Sequence, residues 1–168
     1  MNVVGLDLSL TATGYATSVG SQTWKPKEVG AARLVAAHEW LVNLCFEAKP
    51  DLVLIEGYAF NSRNGGERLG ELGGVARYAL ASNQVAFVEV APKSVKKYAT
   101  GKGNANKDAV GYAAVRRSGI EFLDNNAADA WWLRQMGLAK YAPTEAVQMP
   151  FAHRLALDAI AWPERSAL

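Results

Sequence analysis

A chain of 168 residues, half of them hydrophobic and a fifth charged, suits one compact domain with a sizeable core. Its single cysteine, Cys45, excludes an intrachain disulfide and a cysteine-based zinc site, and no apolar stretch reaches the length of a membrane span. The formal net charge of +2 is modest, but acids gathered around a metal would leave the exterior more basic than that sum implies.

In chain order, residues 2–10 read as an apolar strand that Asp7 interrupts at its centre, and 13–19 and 21–25 as two further strands. Apolar positions Leu34, Val35, Trp40, Leu41, Leu44 and Cys45 recur at helical spacing over 30–48. A strand over 51–56 ends on Glu56, and 67–82 reads as a helix despite Gly70, Gly73 and Gly74. These glycines weaken an exposed helix by roughly 1 kcal/mol each. They signal close packing on a sheet or close approach of a nucleic-acid backbone. A strand at 85–90 leads into a short helix begun by Pro92, a favoured first position. Helices follow over 107–117 and 125–140, the second capped by Asp124 or Asn125, and a partly helical tail over 144–162 is broken by Pro150. Three strands followed by alternating helices and strands indicate an α/β fold, a mixed sheet with helices on both faces. The expected division is a domain over 1–142 and a C-terminal helical extension over 143–168.

Three carboxylates stand inside apolar structure: Asp7, Glu56, and Asp129 within Ala128-Asp129-Ala130-Trp131. A buried acid is costly unless a cation or hydrogen bonds compensate it. Each has an ordinary explanation alone, such as a turn cap for Asp7. Together they point to an oxygen-ligand site for a hard divalent cation. Lys93, Lys96, Lys97, Lys102 and Lys107 cluster within fifteen residues, as phosphate-contacting groups or as a solvated helix face. Of the two histidines, His38 reads as structural and His153 as a surface or interface residue.

The segments GLDLSLTATGYA (5–16), LVLIEGYAF (52–60), VEVAPKSVKKYATGKGNANKDAV (88–110) and NNAADAWWL (125–133) resemble, in this order, RuvC-type Holliday junction resolvases of the RNase H-like superfamily. The first segment is shared with sugar kinases and actin-like ATPases, but the third is the most specific of the four, and nothing in an ATPase requires it. A chain this short has little room for the two lobes of an ATPase. The single-domain form and the tail look most like bacteriophage resolvases.

The resemblance implies an RNase H-like fold and four acidic ligands for two Mg²⁺ or Mn²⁺ ions. Asp7, Glu56 and Asp129 match three of these positions. Asn126 stands at the fourth, one helical turn before Asp129, with Asp124 as the alternative. It implies hydrolysis of branched DNA, four-way junctions above all, leaving 5′-phosphate and 3′-hydroxyl ends. Lys96 and Lys107 match the family's functional basic pair. Arg63 and Arg68 flank the loop after Glu56 and could line the groove. Tyr58 or Phe60 is expected to stack on unpaired bases. A homodimer is implied, with Leu69, Leu72 and Arg77 at its interface. No membrane association is expected, and the location is cytoplasmic, in a bacterium or a phage-infected host. A broader fork and flap endonuclease and a non-catalytic junction-binding protein are the rival readings.

Overall fold

The computed structural model describes residues 1–57 and 66–168. Five strands, β1 (Val3–Asp7), β2 (Thr13–Thr17), β3 (Gly20–Trp24), β4 (Leu52–Glu56) and β5 (Ala86–Val90), form one sheet in the order β3-β2-β1-β4-β5. β1, β2 and β3 pair antiparallel, whereas β4 and β5 run parallel to β1. This is the expected mixed sheet. The helices are α1 (Gly30–Ala48), α2 (Gly66–Ser82), α3 (Pro92–Thr100), α4 (Lys107–Ser118), α5 (Asn125–Tyr141) and α6 (Phe151–Arg154). Among the described residues, no helix is long and apolar enough to cross a membrane.

Strand alternation divides the core in two. Val4, Leu6, Val53 and Ile55 face α1 and α2, where they meet Leu41, Cys45, Leu72 and Leu80. Val3, Ala16, Leu52, Leu54, Val88 and Val90 face the other way, onto Trp132, Leu133, Met136 and Tyr98 of α3 and α5. Burying each such large side chain stabilises the fold by roughly 1.5–3 kcal/mol.

α5 lies unusually close to the sheet. A Cβ on Gly5 would run into the Ala130 carbonyl, and one on Gly14 into the Asn126 carbonyl. The Arg134 Nε–H donates to the Val3 carbonyl at 3.1 Å and ties the helix to β1. The helix start is fixed as well. Asp124 is its N-cap and accepts from the Ala127 N–H at 3.0 Å and from the Thr23 hydroxyl of β3 at 2.7 Å.

The tail shares the second core. Met149 and Ala156 are buried within it, and the Val147 N–H donates to Gln135 Oε1 at 3.0 Å. Pro150 does not break a helix; it is the residue from which α6 starts. Single 3₁₀ turns follow at Leu157–Ala159 and Arg165–Ala167.

Candidate active site

Asp7 and Glu56 end adjacent parallel strands. The register pairs Gly5 with Leu54 and Leu6 with Ile55, so the next step brings the two acids side by side. Both follow the alternation of Val3 and Gly5, or of Leu52 and Leu54, and so turn to the α5 side. Gly14, the cross-strand partner of Asp7, leaves room for the first turn of α5 above it. Asn126 and Asp129, three residues apart in that helix, share the face presented there.

Asp7 and Glu56 both feel neighbouring acids. Asp7 is held well above the usual carboxylate range, first by burial, then by the charges of Glu56 and Asp129. Burial and Asp129 push Glu56 up to about 7. Burial raises Asp129 to about 6. Lys107 opposes the rise at all three acids, and Lys96 does so at Glu56 and Asp129.

The ion pairs among the described residues are Met1 with Glu145, Lys25 with Asp124, and Arg77 with Glu89, so none engages Asp7, Glu56 or Asp129. Partly buried like charges without an ion-pair partner are costly, and a hard divalent cation is the species that relieves such a set. The donor chemistry therefore fits Mg²⁺ or Mn²⁺. Among the described residues, however, no three His, Cys, Asp or Glu side chains stand close enough to grip an ion as they are. The acids form an open set, coupled through space.

Asp124 is occupied elsewhere. Burial raises its pKa, but hydrogen bonds from Thr23 and Ala127 and the charge of Lys25, 3.9 Å away, outweigh that and leave it below the ordinary value. Its carboxylate belongs to the helix cap, which leaves Asn126 as the residue beside Asp129.

The basic residues differ in what they act on. The charges of Lys96, half-buried in α3, and of Lys107, exposed at the first position of α4, act on the carboxylates, whereas those of the exposed Lys93 and Lys102 are not among the charges that do. The aliphatic part of Lys93 packs against Gly103. Lys97 lies in the last turn of α3, where its carbonyl accepts the cap N–H of Gly101. Tyr58, Phe60 and Arg63 lie outside the described residues. Leu72 is buried at 1% exposure, so it is a core residue and not part of an outer contact. Arg77 Nη1 pairs with Glu89 Oε1 at 2.8 Å. Gly73 is buried, whereas Gly74 opens onto the surface between α1 and α2.

Neither histidine faces the acids. The His38 ring lies 5.7 Å from that of Tyr78 on the α1–α2 surface, and His153 Nδ1 donates to the Tyr98 carbonyl at 2.8 Å. The residues that sequence reasoning missed are Thr23 and Lys25. They hold the Asp124 cap from β3 and its edge, and nothing local in the sequence signals a partner 101 positions away.

Acids at the ends of two central parallel strands and in a facing helix, flanked by lysines, define an RNase H-like nuclease. Residues 3–130 match the family model described as crossover junction endodeoxyribonuclease RuvC. The chain belongs to that family. The curated relative from Gloeobacter violaceus is 29% identical over 160 residues, which cover 87% of this chain and 92% of the relative. The relative from Chlorobium phaeovibrioides is 32% identical over 126 residues, 67% of this chain and 66% of its own length. Thermus thermophilus RuvC, also solved in complex with a Holliday junction substrate, superposes with a TM-score of 0.70 at 21% identity, covering 89% of this chain and 99% of the chain in that complex. Its likeness establishes the fold.

Proposed function

We propose that this protein cuts four-way DNA junctions by paired phosphodiester hydrolysis, leaving 5′-phosphate and 3′-hydroxyl ends. The observation that supports the reading is the placement of Asp7 and Glu56 at the ends of adjacent strands β1 and β4, on the side covered by the helix of Asp129, where the charges of Lys96 and Lys107 act on them.

Hydrolysis needs a water that loses its proton, a neutralised phosphate and a leaving 3′-oxygen that gains one. Two divalent ions, Mg²⁺ or Mn²⁺, supply water activation and leaving-oxygen stabilisation when bound. Asp7, which feels both other acids, would hold the ions together with Glu56 and Asp129, and Asn126 would add a neutral amide oxygen. Lys107 and Lys96 offset phosphate charge, and Lys93, Lys97 and Lys102 extend that field along the DNA. No histidine base is required. Tyr58 or Phe60 stacks on unpaired bases, and Arg63 adds a phosphate contact.

A four-way junction has approximate two-fold symmetry, which a C₂ dimer with two sites matches. The shallow apolar surface of Leu34, Val35, His38, Gly74, Val75 and Tyr78 between α1 and α2 is the face we assign to the second copy. Val35 is 58% and Tyr78 64% exposed, large apolar groups that association would cover.

The test is cleavage of end-labelled four-way junction, fork, flap and linear duplex with Mg²⁺ or Mn²⁺, comparing the native chain with Asp7→Asn. Symmetric nicks confined to the junction and lost in the variant support resolution. Efficient fork and flap cutting makes the enzyme a broader structure-selective endonuclease. Binding without metal-dependent cutting overturns the catalytic reading.

A further inference from the structure

Beyond the residues that the family model matches, the end of α5 and the tail enclose an open groove of about 670 Å³. Lys140, Phe151, Arg154, Asp158, Ile160 and Trp162 are among its lining residues. We propose that this groove is a second DNA contact, which takes an arm of the branched substrate after it leaves the active site. The proposal rests on the nuclease reading and deepens it.

Three observations carry it. The first is an apolar surface left open: Phe151 is 71% and Leu155 40% exposed, on a tail that Met149 and Ala156 anchor in the core. Exposed apolar groups collected in a groove mark a contact site.

The second is charge. Lys140 Nζ stands 6.0 Å from the centroid of the Trp162 ring, and Arg154 is exposed beside it. Arg117 Nη1 donates to the Gln148 carbonyl at 3.1 Å, so the tail backbone holds it without neutralising it. None of Lys140, Arg154, Arg116 or Arg117 enters an ion pair among the described residues. Asp158 is the one acid lining the groove, so its field favours a polyanion over a neutral or basic peptide.

The third is continuity. His153, next to Arg154, bonds the Tyr98 carbonyl of α3, and its ring packs against Gly101. That contact joins α6 to the loop carrying Lys102 and to the helix carrying Lys93, Lys96 and Lys97. The tail that lines the groove is thus fixed to the lysine-bearing segment. Phosphates would lie on Lys140 and Arg154, and deoxyribose faces on Phe151. Lys140 follows Asp129 along one helix by about 16 Å, so an arm must extend roughly five base pairs before reaching it.

The experiment compares the full chain with Lys140→Ala/Arg154→Ala and, separately, Phe151→Ala. Junction binding is measured by anisotropy over a salt series in EDTA. One junction has arms of about twenty base pairs, and the other has hairpin-closed arms of about four. On the long-armed junction the double variant is expected to bind about tenfold more weakly, with a salt slope reduced by about 2. On the short-armed junction it should match the native chain, and kcat at saturating DNA should be unchanged. Phe151→Ala, a change at an exposed position, should show the same arm-length dependence with a native melting temperature. Equal affinity and slope on both junctions for both variants would overturn the proposal. Unchanged DNA binding with altered self-association would assign the groove to a second copy and overturn it too. A native chain that binds with arm-length dependence but cuts nothing sinks the nuclease reading and leaves this contact standing.

Discussion

The two faces of the sheet start from the same kind of strand and end differently. Under α1 and α2 the strands remain apolar through Leu6, Leu8 and Ile55. Under α5 they are apolar until the last residue of β1 and of β4, where Asp7 and Glu56 appear. The first face can tolerate a gap because it only has to exclude water. The second must hold a helix at backbone contact distance, because the position of Asp129 over Asp7 depends on Gly5 and Gly14 having no side chain. Both faces bury a core, but only the second must also fix a helix in place.

Variants can break that contrast. Leu72→Ala, on the apolar face, is expected to cost about 2–5 kcal/mol in denaturant unfolding while leaving kcat of the folded enzyme unchanged. A matching loss of kcat would show that the faces are not independent.

The acid-bearing face should reveal itself through pH. Glu56 has a pKa of about 7 in the folded chain, against an ordinary value of 4.5. Because the folded value is raised, the stabilisation is fully present below the ordinary carboxylate range. It is lost as pH rises through about 7, on the order of 2–3 kcal/mol for this group. In EDTA the melting temperature should therefore fall between about pH 5 and pH 8, and Mg²⁺ should flatten the fall. A melting temperature independent of pH in EDTA would contradict the crowding of acids described here. Asp7→Asn should reduce the slope, since it removes one of the repelling charges.

Gly14→Ala sharpens the contrast further. Overpacking at this position should cost about 1–3 kcal/mol and, unlike Leu72→Ala, should lower kcat, because the start of α5 must move off Asp7. Cleavage at the native rate would mean that close packing is not what positions Asp129.

The smallest effect is expected from Asn126→Asp. A charged donor in place of the amide should tighten divalent-ion binding about tenfold, near 1.4 kcal/mol, read by calorimetry in the absence of DNA. Unchanged affinity would remove Asn126 from the ligand set.

Much of this arrangement is legible in the sequence. The helix over 30–48 is found at those bounds because its apolar spacing is regular. The first strand is shorter than its apolar run suggests, Val3–Asp7 instead of 2–10. Its pairing with β2 ends at Asp7 and Gly14, so Leu8 is buried without a ladder partner there. The three acids are readable because each interrupts apolar residues. The lysines are less so, because residues adjacent on a helix point in different directions, and the resemblance rather than the local pattern singles out Lys96 and Lys107. The Asp124 cap held by Thr23 is invisible in one dimension. So is the docking of the tail on α3, which depends on a backbone carbonyl rather than a side-chain motif.

The placement of α5 has a consequence for how the enzyme comes into being. Asp7 and Glu56 leave the ribosome early, but the helix that carries Asn126 and Asp129 is made only after every strand of the sheet. A nascent chain can thus assemble most of its sheet while its nuclease centre does not yet exist. Cutting ability arrives with one late docking event, when α5 closes onto the glycines of β1 and β2. Premature release of the chain before that point yields a protein without the helix of Asp129, so half-made copies lack the complete set of acids.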